Sequence, residues 1–220
     1  MHKTVQNLIN IQNLIKSKQS VLADNNTIPK IIAVSKTFKL DHILPLIEHG
    51  HIDYGENKVQ EAIEKWSKTK SSNNKIKLHL IGKLQTNKVK ICLKLFDYIH
   101  SLDNEKLARK ISDEQKKQNL KPKLFIQVNI GNESQKNGIH IEKLNEFYNI
   151  CEKLNLNVVG IMCIPPIDED PEKSFLKMNN LKKKLNIEEL SMGMSADYLI
   201  AIKYNSTFLR IGSAIFGSRT

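Results

Sequence analysis

The sequence predicts an α/β fold: a single (β/α)8 TIM barrel with an extra N-terminal helix. Short apolar runs recur along the 220 residues, and the stretches between them carry apolar residues at helical spacing. Strands that alternate with helices pair in parallel through right-handed crossovers, and eight such units suggest a closed barrel. An open doubly wound sheet is the alternative. It favours a glycine-rich turn after the first strand, where this chain has Ser35-Lys36-Thr37-Phe38.

Eight segments have the length and apolar content of buried strands. In chain order they are Ile31–Val34, Ile52–Tyr54, Leu78–Ile81, Tyr98–Ser101, Leu124–Asn129, Val158–Met162, Glu189–Ser191 and Phe208–Ile211. Each gap between them has room for one helix and two turns. This regular repeat is what predicts the barrel.

The gaps have the three- and four-residue apolar spacing of helices that cover a sheet. The predicted helices are Asp41–His49, Glu56–Lys68, Leu84–Phe96, a helix capped by Asp103, Ile141–Leu154 and Pro171–Leu185. A further helix, with Val5, Leu8, Ile11 and Ile15 on one face, precedes the first strand. The polar stretch Ser67–Lys77 is predicted to be an exposed loop.

Composition indicates a cytoplasmic globular protein that forms one domain over residues 1–220. Hydrophobic residues make up 40% of the chain and charged residues 26%. No apolar run is long enough to span a membrane, and the N-terminus lacks the apolar segment of a signal peptide. Cys92, Cys151 and Cys163 lie far apart inside apolar segments. They are predicted to be buried, reduced thiols, and no metal site is predicted.

The formal net charge of +11 invites a nucleic-acid interpretation, which we reject. Only three of the 34 basic residues are arginine. The lysines are scattered, and no aromatic residues interleave with them as a stacking platform for bases requires. The basic residues therefore predict a solvated surface without a nucleic-acid or membrane partner.

Small polar residues follow the last two predicted strands. Ser195 comes just after the seventh strand, and Gly212 and Ser213 come just after the eighth. Helices are predicted to open at both places, and the N–H groups of adjacent helix N-termini bind phosphate. In (β/α)8 barrels the loops after these two strands commonly form phosphate sites. We therefore predict a phosphate site at Ser195, Gly212 and Ser213, although ordinary helix capping is the alternative.

Two cations lie beside this predicted site. Lys36 ends the first strand, which neighbours the eighth in a closed barrel, and its partly desolvated amine suits Schiff-base chemistry. Arg210 lies on the eighth strand, two residues before Gly212, so it faces the side on which a ligand held at Gly212 would lie. A guanidinium that faces a pyridine nitrogen donates a hydrogen bond and keeps that nitrogen unprotonated. A cofactor held in this way is a weak electron sink.

These residues belong to segments that resemble the pyridoxal phosphate homeostasis protein family, the single-domain relatives of the alanine racemase barrel. The matching segments, in the family's order and spacing, are Ala33–Thr37, Tyr54–Glu61, His79–Lys88, Ser101–Asp103, Gln127–Ile130, Gly160–Pro165, Leu190–Asp197 and Arg210–Arg219. Two departures are small. Ser213 stands where threonine is commoner, and Asn205-Ser206-Thr207 replaces the usual Gly-Ser-Thr.

The resemblance implies pyridoxal 5′-phosphate (PLP) held as a Schiff base on Lys36, with no established catalytic reaction and therefore no catalytic residue. The implied cofactor-binding residues are Lys36, Asn57, Met194, Ser195, Arg210, Gly212 and Ser213. The implied role is that of a carrier of the cofactor in vitamin B6 balance. PLP-dependent apo-enzymes are the possible recipients, and a monomer is expected.

Two enzymatic alternatives stay open. The first is an alanine-racemase-like enzyme that acts on amino acids. Such racemases resemble this barrel, but they take a second acid/base group from an additional β domain, which we do not expect after Thr220. The second is a barrel enzyme for a sugar phosphate that uses Glu56 and Glu61. We expect these two to be surface or helix N-terminal carboxylates, and His79 to be a satisfied strand residue.

Overall fold

A computed structural model describes residues 1–22, 28–133 and 135–217. It contains nine strands, all paired in parallel: β1 (Lys30–Val34), β2 (Asp53–Glu56), β3 (Lys77–Leu80), β4 (Tyr98–Leu102), β5 (Lys123–Asn129), β6 (Ile139–His140), β7 (Val158–Cys163), β8 (Glu189–Ser191) and β9 (Phe208–Ile211). Every predicted strand is present, within one or two residues of its predicted bounds.

Eight of these strands close into a barrel, which confirms the predicted fold. The order around the barrel is β1-β2-β3-β4-β5-β7-β8-β9, and β9 returns to β1 through the pairs Ile31–Leu209 and Ile32–Arg210. The two-residue strand β6 was not predicted, and it pairs with the end of β5 outside the ring. Because β1 and β9 are neighbours, the segments that follow them meet at one edge of the barrel mouth.

Helices connect the strands on the outside. They are α1 (Lys3–Leu22), α2 (Leu40–Glu48), α3 (Val59–Ser72), α4 (Val89–Leu95), α5 (Glu105–Gln118), α6 (Leu144–Lys153), α7 (Pro171–Leu185), α8 (Tyr198–Lys203) and α9 (Ser213–Phe216). The extra helix α1 packs against α8 and α9, and the Asn7 side-chain amide donates to the carbonyl oxygen of Ile215 at 2.9 Å. This helix therefore supports the segment that follows β9. None of the described helices combines the length and the apolarity needed to cross a membrane.

Two local predictions were wrong. The N-cap of α5 is Asn104 and not Asp103, because the Asn104 side chain accepts the N–H of Leu107 at 2.9 Å. The stretch Ser67–Lys77 is mostly ordered, since α3 continues through Ser72 and β3 begins at Lys77. Alternating serines and lysines suggest a loop, but here they form the last turns of an amphipathic helix.

The barrel interior holds a small core of its own, separate from the larger core between strands and helices. Its buried members are Ile32, Tyr98, Phe125, Met162 and Phe208. The three cysteines are buried as predicted, and burial raises the pKa of the Cys151 and Cys163 thiols to about 12. These thiols therefore stay protonated and unreactive at neutral pH.

Candidate cofactor site

A cavity of about 700 Å³ lies at the carboxyl-terminal mouth of the barrel. All seven residues predicted to bind a cofactor line it: Lys36, Asn57, Met194, Ser195, Arg210, Gly212 and Ser213. Ligand sites of (β/α)8 barrels form at this mouth. The structure thus brings together residues that are up to 177 positions apart in the sequence.

Strand alternation explains how the side chains reach the cavity. On β1 and its extension, Ile32 is part of the inner core, whereas Val34 and Lys36 line the cavity. On β9, Phe208 is part of the same core and Arg210 lines the cavity. Residues two apart on a strand point to the same side, so each strand passes from apolar core to polar site within a few residues.

Backbone contacts on both sides of Lys36 hold the loop that carries it. The backbone N–H of Ser35 donates to the Gly55 carbonyl oxygen at 2.9 Å, and the Lys65 ammonium donates to the Ser35 carbonyl oxygen at 3.0 Å. On the other side, the Thr37 N–H donates to Oε1 of Glu61 at 2.8 Å. Thr37 has a φ of 71°, which is rare for a β-branched residue. The surrounding contacts therefore maintain a strained backbone next to the amine.

A buried carboxylate organises these contacts around Ser35 and Thr37, which we call the clamp. Oε1 of Glu56 accepts hydrogen bonds from the Ser35 hydroxyl at 2.8 Å, from Lys65 at 3.0 Å and from the Trp66 indole at 2.9 Å. The side chain of Glu56 is fully buried at the end of β2. Our expectation of a surface or helix N-terminal carboxylate was therefore wrong for Glu56.

Glu61 lies in the first turn of α3, as expected, and also bonds to the lysine loop. Burial raises its pKa, but the hydrogen bond from Thr37 and the charge of Lys65 outweigh that effect. The pKa of Glu61 is consequently lower than usual. Neither Glu56 nor Glu61 lines the cavity, so both serve the loop rather than a ligand.

The loops after β8 and β9 are hydrogen-bonded to each other. Oγ of Ser195 accepts the backbone N–H of Gly212 at 3.3 Å and that of Ala214 at 3.2 Å. Ser195 was predicted to open a helix, but it lies in a turn, and α8 begins only at Tyr198. The other predicted opening is confirmed, since α9 begins at Ser213. The mouth therefore carries one helix start and one tight turn whose hydroxyl joins them.

Neither backbone conformation nor steric crowding requires a glycine at position 212. Its φ of −113° is open to any residue, and the three atoms that an added Cβ would meet first belong to Val34, at 3.4 to 3.7 Å. Such distances are ordinary van der Waals contacts. A side chain at position 212 would occupy part of the cavity. By contrast, a Cβ at Gly82 would lie 2.4 Å from the Asn57 carbonyl oxygen, so Gly82 allows the close approach that places Asn57.

Arg210 is 4% exposed and is held by two hydrogen bonds. Nη1 donates to the Ser191 hydroxyl oxygen at 2.8 Å, and Nη2 donates to the Cys163 carbonyl oxygen at 2.7 Å. Burial lowers the pKa of the guanidinium, but an arginine side chain stays protonated at any physiological pH. The cavity therefore contains a fixed cation.

Comparisons with known proteins agree with this geometry. Residues 7–220 match the family described as alanine racemase, N-terminal domain. The pyridoxal phosphate homeostasis protein of Aquifex aeolicus is 38% identical over 200 residues, which cover 86% of this chain and 87% of that protein. The chain belongs to the pyridoxal phosphate homeostasis protein family.

Two solved structures bear on the site. PipY of Synechococcus elongatus with PLP bound is 29% identical, with a TM-score of 0.79 over 94% of this chain and all of that one. The alanine racemase of Clostridium difficile shares the fold at 18% identity and a TM-score of 0.72, over 99% of this chain and 57% of the racemase. The barrel is thus common to homeostasis proteins and racemases.

The structure also shows cavity residues that the sequence did not suggest. Lys83 donates to the Asn137 amide oxygen at 2.9 Å, and the Gln127 amide donates to the Asn137 carbonyl oxygen at 3.1 Å. All three residues line the cavity. Lys83 follows β3, Gln127 lies on β5, and Asn137 precedes β6. Lys83 and Asn137 lie in short polar segments without periodicity, and Gln127 is a single polar residue in an apolar strand, so the sequence gives no signal for them.

One departure from the family pattern is explained by the backbone. Asn205, where the family usually has glycine, adopts a φ of 60°. This left-handed region suits glycine, and asparagine tolerates it better than most residues. The left-handed turn before β9 therefore forms with asparagine at this position.

Proposed function

We propose that this protein binds pyridoxal 5′-phosphate in the cavity and serves PLP homeostasis as a carrier, without a robust reaction of its own. The observation that carries the proposal is the composition of one cavity wall. A lysine amine, a buried arginine and a serine–glycine loop meet where β1 and β9 are adjacent. The names of the relatives and the PLP-bound PipY structure support the same ligand.

Lys36 is the residue proposed to attach the cofactor. PLP supplies an aldehyde that reacts with amines, a ring nitrogen and a phosphate group. The Lys36 amine condenses with the aldehyde: a C=N bond forms, the C=O bond breaks, and water leaves. The clamp around Ser35 and Thr37 fixes the backbone of Lys36, so that only the side chain needs to move.

The loops after β8 and β9 are proposed to hold the phosphate. The Ser195 hydroxyl already accepts two backbone N–H groups, so its own proton is available to donate to an anion. Ser213 adds a second exposed hydroxyl at the start of α9, and Gly212 leaves the space into which the phosphate fits. Met194 and Asn57 complete the wall beside the ring.

The polar groups of the cavity favour a carrier over a racemase. Arg210 donates to the ring nitrogen and keeps it unprotonated, which makes the cofactor a poor electron sink. Among the described lining residues the titratable side chains are those of Lys36, Lys83 and Arg210, and all three are basic. Racemisation needs an acid/base group on each face of the substrate, and no tyrosine, histidine or carboxylate of the described lining supplies the second one.

Lys83 is the one observation that favours a racemase-like alternative, because it places a second amine at the cavity. Exchange of the α-proton of L-alanine in deuterated water distinguishes the two functions. A carrier gives no sustained exchange. Multiple turnovers that disappear in Lys36→Ala would establish the enzyme instead.

Borohydride reduction tests the binding site directly. We expect purified protein incubated with PLP to be yellow, and reduction followed by peptide mapping to find the pyridoxyl group on Lys36. Lys36→Ala should lose the coloured band and the label. Lys83→Ala, which removes the other cavity lysine, should keep both. A protein that stays colourless, or a label on another lysine, contradicts the proposal.

Other properties stay predictions from the sequence. These are the transfer of PLP to apo-enzymes, the monomeric state, the single domain over residues 1–220 and the cytoplasmic location.

A further inference from the structure

A continuous row of hydrogen-bonded side chains runs through the barrel interior, starting at Arg210. Nη1 of Arg210 lies 2.8 Å from the Ser191 hydroxyl oxygen, which lies 3.0 Å from Nδ1 of His100. Nε2 of His100 lies 3.0 Å from Nδ1 of His79, and Nε2 of His79 lies 2.9 Å from Oδ1 of Asp53. We call these five residues the interior chain.

The interior chain occupies space that a barrel normally fills with apolar side chains. Ser191, His100 and His79 are all fully buried. His79 stacks on Tyr98 with ring centroids 4.3 Å apart, and His100 stacks on Phe125 at 4.2 Å. Burial of two imidazoles is costly unless each nitrogen finds a partner, and here all four nitrogens do.

Proton counting gives each member of the interior chain one role. The Asp53 carboxylate only accepts, so Nε2 of His79 carries the proton. Burial lowers the pKa of both His79 and His100, which keeps them neutral, so Nδ1 of His79 must accept from Nε2 of His100. Nδ1 of His100 then accepts the Ser191 hydroxyl proton, and the Ser191 oxygen accepts from Arg210. Every donor points from Arg210 toward Asp53.

This direction matters because Arg210 is a buried cation, and the charge of Asp197 raises its pKa only from beyond ion-pair distance. Among the described residues, no carboxylate forms an ion pair with it. Its other partner is the uncharged carbonyl group of Cys163. Asp53, whose side chain is 14% exposed at the start of β2, is the carboxylate at the far end of the interior chain. Oriented dipoles in a low-dielectric interior carry its effect to the guanidinium.

We propose that Asp53, His79, His100 and Ser191 are positioning residues that fix the Arg210 guanidinium for its contact with the ring nitrogen of PLP. The contact itself rests on the proposed function; the interior chain does not. Because every member has one donor direction, Arg210 keeps one orientation in the cavity wall. The interior chain thus ties the electronic state of the cofactor to residues that never touch it.

The first experiment uses the protein without PLP. Two-dimensional ¹⁵N–¹H NMR of the histidine side chains reports tautomers, and His79→Gln and His100→Gln assign the signals. We expect both rings to be neutral and protonated on Nε2 at pH 7. A ring that is charged at pH 7, or protonated on Nδ1, contradicts the proton order and overturns the proposal.

The second experiment measures the ring nitrogen of bound PLP. We expect ¹⁵N-labelled PLP on the wild-type protein to show an unprotonated pyridine nitrogen from pH 6 to pH 8. In His100→Phe, which keeps the stack on Phe125 but interrupts the chain, that nitrogen should become protonated at a higher pH, and PLP affinity should fall about tenfold. Asp53→Asn removes the negative charge at the solvent end of the interior chain. It should also raise the pH at which the pyridine nitrogen becomes protonated, but by less.

Matched variants separate the possible outcomes. Tyr98→Phe alters the same interior core outside the chain and should leave the nitrogen signal unchanged. If His100→Phe does not fold, Asp53→Asn carries the test, because Asp53 reaches solvent. Normal PLP binding with an unchanged nitrogen signal in the interrupted variants overturns the interior chain alone. Wild-type protein that binds no PLP overturns the proposed function, while the tautomer experiment still decides the proton order.

Discussion

Lys36 and Arg210 face the same cavity but are supported in opposite ways. Lys36 lies in a loop, half-buried, and charged groups hold the backbone around it: Glu56, Glu61 and Lys65. Arg210 lies within β9, almost fully buried, and neutral partners hold its side chain. At Lys36 these contacts hold the neighbouring backbone, whereas at Arg210 they hold the guanidinium itself.

The difference matches the role proposed for each group. An amine that forms and breaks a bond to a cofactor must change position, so only its backbone should be rigid. A cation that sets the state of a ring nitrogen must not move, so its side chain should be rigid too. The clamp on the lysine loop and the interior chain are therefore two solutions to two different demands within one cavity. Each can be disrupted separately.

The largest effect is expected from breaking the clamp. Lys65→Met leaves the fully buried Glu56 without its cation, and removal of one partner of a buried pair costs about 3–5 kcal/mol. We expect urea denaturation to show a loss of that size in the free energy of unfolding. Lys68→Met, the same change at an exposed position of α3, should stay within about 0.5 kcal/mol of wild type. Equal stabilities of the two variants would contradict the role given to the clamp.

The same comparison shows what the sequence could predict. The strands and most helices followed from apolar periodicity, and small or charged residues at strand ends indicated five of the predicted site residues: Lys36, Ser195, Arg210, Gly212 and Ser213. Asn57 and Met194 came only from the family resemblance. The clamp and the interior chain could not be predicted, because their contacts join positions far apart in the sequence. Glu56 and Lys65 look like helix-surface charges, and they become a buried pair only because α3 folds back onto the end of β2. His79 and His100 each interrupt an apolar strand, which was the available signal, but their partnership depends on adjacent strands β3 and β4.

Acid should lower the free energy of unfolding through the histidines of the interior chain that holds Arg210. Burial lowers the folded-state pKa of His79 and His100, as it does for His51, below the value of about 6.5 in the unfolded chain. Below that value the unfolded chain binds protons that the folded protein does not, so stability present at pH 7.5 is lost as the pH falls through 6.5 and below. The loss is at most about 1.4 kcal/mol per pH unit for each group.

Urea denaturation at pH 7.5, 6.5 and 5.5 measures this slope. His79→Gln removes one titrating ring and should make the slope shallower. The exposed His140 offers a control, since His140→Gln should leave the slope as it is in the wild type. A wild-type stability that is constant across this range would show that the two interior rings are not held neutral by burial.

Gly212, which lines the cavity shared by Lys36 and Arg210, is expected to give the smallest effect on stability. Its effect on PLP binding is expected to be the most selective. Gly212 lies just after β9, two residues beyond Arg210, and its missing side chain leaves room in the cavity next to Val34. Gly212→Ala should weaken PLP binding about tenfold, which corresponds to about 1.4 kcal/mol. The free energy of unfolding should be unchanged or higher by up to about 1 kcal/mol, because φ is permissive and alanine restricts the unfolded chain.

Gly193 is the matched control, because the same substitution there has a different physical meaning. Its φ is 90°, and an added Cβ would lie 2.6 Å from Cβ of Ala201, so Gly193→Ala should destabilise the fold by about 1–3 kcal/mol. Absorbance titration with PLP and urea denaturation on both variants give the comparison. If Gly212→Ala binds PLP as the wild type does, the space at Gly212 is not where the cofactor lies.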